Sequence, residues 1–239
     1  MGFAPVPSHT QIQTALRSAL VQIMPFGMLI VQGQDNDVAQ PKGDFIVMTV
    51  IRRERISTNI DTYQDCKFTG SVNGTIVTVG PIAFGTPTVG NLLFGTGAAQ
   101  NPVIMAVNAN GTLTLSAPAT TATRTLSCGV KSIQQSTRVV FQLDIHSPDM
   151  GRASDYAQAI STVMRDDTGA MLLQASGLPV TPLYADDPKQ IPFMNKESQF
   201  ENRYVVECHL QADQVITPPQ EFADRVDVDR LPVDLFYVA

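Results

Sequence analysis

The sequence predicts an α+β fold: a mixed or antiparallel sheet with two helices on one face, interrupted by a small all-β insertion of barrel or sandwich type. Three observations carry this reading. Two segments repeat apolar residues at three- and four-residue spacing, other segments alternate apolar with polar residues, and the composition changes sharply near residues 66 and 134. Residues 67–132 are rich in Gly, Thr, Ala, Val and Asn and almost free of charge, whereas the flanks carry nearly all acidic and basic side chains. The expected organisation is a core domain in two parts, residues 1–65 and 134–216, a β-module at 66–133 inserted between them, and an extended C-terminal arm at 217–239.

The first helix is expected after Ser8-His9-Thr10-Gln11, a capping box in which the Ser8 hydroxyl and Gln11 amide meet free backbone donors. Ile12, Leu16, Ala19, Leu20 and Ile23 form its apolar stripe, and Pro25 with Gly27 ends it. Residues 28–32 and 45–51 read as two strands of a hairpin, with Pro41-Lys42-Gly43-Asp44 as a turn in the polar loop between them. Beyond the insertion, Val139, Phe141, Leu143 and Ile145 alternate with Val140, Gln142, Asp144 and His146, giving a strand with one apolar and one wetter face. Asp149 or Ser147 caps a second helix with Ala153, Ala157, Ile160 and Met164 buried, ending near Asp167 and Gly169. The Pro-rich stretch through Pro179, Pro182, Pro188 and Pro192 reads as a connection, and Tyr204, Val206, Cys208 and Leu210 mark a last half-buried strand. Because helices do not regularly separate these strands, a doubly wound parallel fold is excluded.

Within the insertion, turns are expected at Asn73-Gly74, Gly90-Asn91 and Asn110-Gly111. Its ends leave and rejoin neighbouring strands, which brings Cys66 and Cys128 near each other. Three widely spaced cysteines, Cys66, Cys128 and Cys208, fit a reduced origin, and a disulfide between the first two stays open. Neither a signal peptide nor a membrane span is expected.

A net charge of -6 argues against a protein that grips nucleic acid through its phosphates. The same charge suits a channel through which DNA slides without sticking, but the plain surface of a soluble acidic protein is the preferred reading. Catalytic constellations are weak. Gly95-Thr96-Gly97 has Gln100 where a dinucleotide fingerprint needs its third glycine, and Gly129-Val130-Lys131-Ser132 lacks the earlier glycine of a phosphate loop. His146 and His209 share a face if their strands pair, with Asp144 and Glu207 at hand only if the register cooperates; a solvated sheet face is preferred to a metal site. Asp224, Asp227, Asp229 and Asp234 lack the glycine and glutamate of a calcium loop. No catalytic, cofactor or metal residues are therefore nominated.

Arg52, Arg53 and Arg55 form the one basic cluster; arginine forks suit carboxylates across a subunit interface, with phosphate contact as the runner-up and a merely soluble strand end as the plain alternative. In the arm, Leu231, Val233, Leu235 and Phe236 are too apolar to stay bare. They fold back on their own sheet or add a strand to a neighbouring subunit, and both placements remain open.

Val31-Gln32-Gly33-Gln34-Asp35-Asn36, then Pro41-Lys42-Gly43-Asp44-Phe45-Ile46-Val47-Met48-Thr49 and Arg52-Arg53-Glu54-Arg55, resemble the opening of phage neck terminator proteins. Residues 138–147, 153–165 and Glu201-Asn202-Arg203-Tyr204 leading into Leu210-Gln211 are similar to the same family. Phe68-Thr69-Gly70-Ser71-Val72-Asn73-Gly74-Thr75 and Val89-Gly90-Asn91-Leu92-Leu93-Phe94-Gly95-Thr96-Gly97 resemble a β-module recurring in phage structural proteins, as does Gly111-Thr112-Leu113-Thr114-Leu115-Ser116. The resemblance implies a non-enzymatic virion protein, assembled in the host bacterial cytoplasm. It forms a ring, typically a hexamer, that caps the tail tube and joins it to the head connector, with DNA in the lumen. Its implied partners are copies of itself, the tail-tube protein, the head-tail connector or adaptor and the genomic DNA, with the sheath protein left open and no cofactor. Another neck, collar or adaptor ring, and an intracellular enzyme or carbohydrate-binding module, are the alternatives.

Overall fold

A central strand of unusual length organises the chain in the computed structural model, which describes residues 4–33, 41–191, 193–194, 200–218 and 220. The elements run α1 (His9–Ile23), β1 (Leu29–Gln32), β2 (Phe45–Arg55), β3 (Ile60–Phe84), β4 (Leu92–Phe94), β5 (Ile104–Val107), β6 (Thr112–Ser147), α2 (Met150–Val163), α3 (Asp167–Gln174), β7 (Val180–Ala185), β8 (Lys189–Gln190), β9 (Phe193–Met194) and β10 (Phe200–Ile216). Two compact units result, one built on residues 1–61 with Ser132–Ile216 and one on Thr62–Lys131; the boundary between them falls inside β6.

In the first unit the strand order is β1-β2-β6-β10-β7. β2 and β10 both run antiparallel to β6, whereas β1 runs parallel to β2, in register Leu29↔Phe45 to Gln32↔Met48. The sheet is therefore mixed and the fold α+β, as expected. The expected hairpin between the first two strands is corrected: a hairpin turn would force antiparallel pairing, whereas twelve residues separate the two parallel strands in sequence, the length a parallel connection needs.

The capping box at Ser8 and Gln11 is present, and α1 buries Ile12, Leu16, Ala19 and Leu20 on one stripe. That stripe meets one face of the sheet, where Ile46 and Met48 of β2, Phe141, Leu143 and Ile145 of β6, and Val206, Cys208 and Leu210 of β10 alternate inward. Each fully buried Leu, Ile or Phe contributes about 1.5–3 kcal/mol, so these stripes set the register of sheet against helices. α2 is capped by Asp149, whose side chain accepts from the Arg152 amide. A third helix, α3, continues past the expected end of α2 because Asp166 provides a new cap to Thr168 and Leu173 supplies another buried anchor. The stretch expected as a Pro-rich connection contains β7. Pro182 is tolerated there because β7 is the end strand of the sheet, where a missing backbone donor leaves no ladder bond unmade.

In the second unit, β3 through its self-folding around Asn73-Gly74, together with β4 and β5, surrounds the first half of β6. Gly74, Gly90 and Gly111 all take positive φ, as the three expected turns require. Phe68, Val77, Leu93, Ile104, Leu113, Leu115 and Leu126 form a separate apolar cluster with Cys66 and Cys128. The strands do not close into a barrel: β3, β4 and β5 each pair with β6. Cys66 and Cys128 are neighbours, as their positions at the ends of the insertion anticipate, and both are free, buried thiols. No helix among the described residues is long and apolar enough to cross a membrane.

Candidate assembly site

The sheet face turned away from the helices is built from the alternate positions of β2, β6 and β10, and it mixes polar side chains with the buried Phe45, Val140 and Val205. Pairing of Glu207 with Gln142, Val205 with Asp144 and Arg203 with His146 sets its rows. Asp144 is 8% exposed and accepts from Arg203 Nε at 3.1 Å and Nη2 at 2.7 Å, while Gln142 Nε2 donates to both its oxygens at 3.0 and 3.1 Å. Burial of a carboxylate at that depth requires such partners. Further along, Ser136 Oγ donates to Asp213 Oδ1 at 2.5 Å. Phe45 and His146 stack with ring centroids 4.5 Å apart.

The arginine cluster lies at the end of β2, just beyond an irregularity between Val50 and Arg52. The extra residue re-aims the strand end, so that Arg52 pairs with Val140 and Glu54 with Arg138 on the polar face, while Arg53 faces the helices. Arg52 Nε contacts Glu54 Oε1 at 3.0 Å, and Arg138 bonds the other Glu54 oxygen. That hydrogen bond from Arg138, more than any other cause, holds the Glu54 carboxyl below its usual range. Arg53 Nη2 contacts His9 Nδ1 at 2.8 Å, and Arg55 Nε donates to the Ser57 carbonyl at 2.7 Å. The structure thus disperses the three arginines over three partnerships of their own chain. All three residues are exposed, and each guanidinium carries five donors, more than these contacts use. The arm residues Leu231, Val233, Leu235 and Phe236 lie outside the described residues.

A second polar hub was not anticipated. Asp44, in the expected turn, accepts from Ser147 Oγ at 2.7 Å, Arg152 Nη1 at 3.0 Å and Tyr156 Oη at 3.2 Å. It ties the start of β2 to the end of β6 and the first turns of α2. The cue in the sequence was Gly43-Asp44 immediately before a strand, which is legible as a turn but not as a link to residues a hundred positions away.

The two strand histidines are not neighbours. Their strands pair as expected, but the register sets His146 opposite Arg203 and His209 opposite Val140, so that each lies in its own row. Asp144 is not beside Glu207 either. His209 instead meets Asp186, just beyond β7, and Glu207 on its own strand, the one group among the described residues with ligand atoms close enough to hold a metal ion. A neighbour contributed by the end strand could not be seen in a stretch read as a connection.

No curated protein matches the sequence at a significant level. Residues 109–234 match the family model of the phage neck terminator protein. The match takes in β6, α2, α3 and β7 to β10, and leaves the resembling residues of β1 and β2 outside it. Covering just over half of the chain and most of the helix-backed sheet, it shows that this protein belongs to the phage neck terminator family, a structural family of the phage virion.

Proposed function

We propose that the chain assembles into a closed ring at the phage neck, typically a hexamer, which terminates the tail tube and joins it to the head connector, with DNA passing through the lumen. The observation that carries this reading is the family match over residues 109–234, which spans the central strand, both later helices and the far sheet edge. Two features support it. A head-to-tail ring needs two different complementary surfaces on each subunit. The sheet ends in two unlike strands, parallel β1 and Pro-bearing β7. The net charge of -6 disfavours retention of DNA by its phosphates.

In this reading Arg52, Arg53 and Arg55 present their outward donors to carboxylates of the next subunit, and Leu231, Val233, Leu235 and Phe236 of the arm lie on a neighbour. The domain reading extends to the β-module, which is proposed as a separately folded insertion on the outside of the ring.

Native mass measurement and negative-stain imaging of the purified chain, alone and with polymerised tail-tube protein, test the proposal. Rings that cap tube ends are expected, and Arg52→Glu with Arg55→Glu should shift the rings toward monomer. A stable monomer that ignores both tube and connector protein would overturn it. Rings that bind connector but never tube ends would assign the chain to another position in the neck.

A further inference from the structure

We infer that Asp186, Glu207 and His209 form a binding site for a divalent transition-metal ion of the Zn²⁺ class, pinning the end strand β7 to β10. The imidazole of His209 is the starting point. Its side chain is 3% exposed, it stacks on Tyr184 with ring centroids 4.1 Å apart, and neither ring nitrogen has a hydrogen-bond partner among the described residues. Buried polar atoms of this kind are uncommon, and an absent ion is a recognised reason for one.

Geometry places the missing partner. His209 Nε2 lies 3.7 Å from Asp186 Oδ1, too far for a hydrogen bond. Two donors that share one tetrahedral Zn²⁺ at about 2.1 Å stand roughly 3.4 Å apart, close to that gap. Glu207 brings a third ligand atom, the three all lying within 4.8 Å of one another, so that a small side-chain rotation closes the set around one ion. Glu207 and His209 are two positions apart on β10 and share a face. The Asp186 amide donates to the Glu207 carbonyl at 2.8 Å, which fixes the two carboxylate-bearing backbones side by side. Asp186 is about one-third exposed, which opens an entry path to the buried nitrogen.

The donor set selects the ion. One imidazole and two carboxylates carry two negative charges and no sulfur. Cys208 belongs to the apolar core on the opposite face. Imidazole nitrogen favours Zn²⁺ and its neighbours over Ca²⁺ or Mg²⁺, which prefer all-oxygen shells. Arg52 and Arg138 are close enough to oppose a cation at His209; Glu54, bound to both, offsets one of their two charges, and the two carboxylates of the site outweigh the other.

Zn²⁺ is titrated calorimetrically into the full chain after chelator treatment, and bound metal is counted after gel filtration. One equivalent per chain is expected, with an X-ray absorption signature of nitrogen and oxygen ligands only. Asp186→Asn and His209→Gln should each weaken binding by at least about tenfold. Asp187→Asn, at an exposed carboxylate paired with Arg165, should leave it unchanged. Far-UV circular dichroism verifies that each variant is folded, and if His209→Gln is not, Asp186→Asn and Glu207→Gln decide. Substoichiometric zinc, a sulfur ligand, or unchanged affinity in folded Asp186→Asn would overturn the site. None of these outcomes depends on ring formation.

Discussion

Replacing Asp44 with alanine tests whether a turn residue acts as the structural tie between β2, β6 and α2. Its carboxylate is 16% exposed and receives three side-chain donors. Ser147 is 2% exposed, and its oxygen still accepts from the Asp149 amide, so losing Asp44 leaves the buried hydroxyl proton without an acceptor and costs about 1 kcal/mol. Tyr156 loses a comparable bond, again about 1 kcal/mol. Arg152 is half exposed, so its ion pair with Asp44 is discounted to about 0.5 kcal/mol. Together Asp44→Ala should lower stability by about 2–3 kcal/mol. Asp44→Asn retains an acceptor oxygen but no charge, and should cost about 1 kcal/mol. Urea unfolding at neutral pH measures both, and an unchanged slope would show that the denatured state is unaffected. A loss below about 0.5 kcal/mol for Asp44→Ala would refute the account, because solvent would then satisfy these groups as well as Asp44 does.

Four further outcomes are expected. Phe141→Ala, at a fully buried position of the central strand, should cost about 3–5 kcal/mol by denaturant unfolding. Glu54→Gln should flatten the acid limb of the stability curve. The Glu54 carboxyl is depressed when folded, so its stabilisation is complete above its ordinary value of 4.5 and disappears as pH falls through the depressed one; a difference from wild type that does not shrink between pH 7 and pH 3 contradicts this. Burial pushes the Cys128 thiol up to about 12, with Cys66 beside it, so alkylation at pH 8 should be slow in native protein and complete in denaturant. Immediate native labelling of Cys66 and Cys128 would contradict their burial. Excision of Thr62–Lys131 with a short Gly-Ser link should leave a cooperatively folding protein, since every residue of the helix-facing core lies outside that stretch. Loss of all soluble protein would sink the insertion reading.

The proposed ring and the proposed metal site would meet at the same strand. β7 ends the sheet, and an ion held by Asp186 with Glu207 and His209 would stiffen that edge. Edge strands present unpaired backbone groups, which protein chains either protect or use for pairing with another chain. A stiffened edge would suit the second use, because a preordered strand loses less conformational freedom on docking.

The sequence by itself determined the local structure wherever one period ran uninterrupted. The capping box and stripe of α1, the alternation of β6 and β10, and the Asn-Gly and Gly-Asn turns all follow from neighbouring residues, because propensity, capping and burial of one face act over a few positions. The basic cluster was equally plain, though not its dispersal among His9, Glu54 and Ser57. Tertiary structure decided the rest. The parallel pairing of β1 with β2 depends on which way β1 joins the sheet edge, and the strand at Pro182 depends on its being last in the sheet. The separation of His146 from His209, and the meeting of His209 with Asp186, depend on the register of three strands. A slip of one residue would turn every one of those side chains to the other face, and what forbids the slip is the apolar face packed on the helices, formed by residues far apart in the chain.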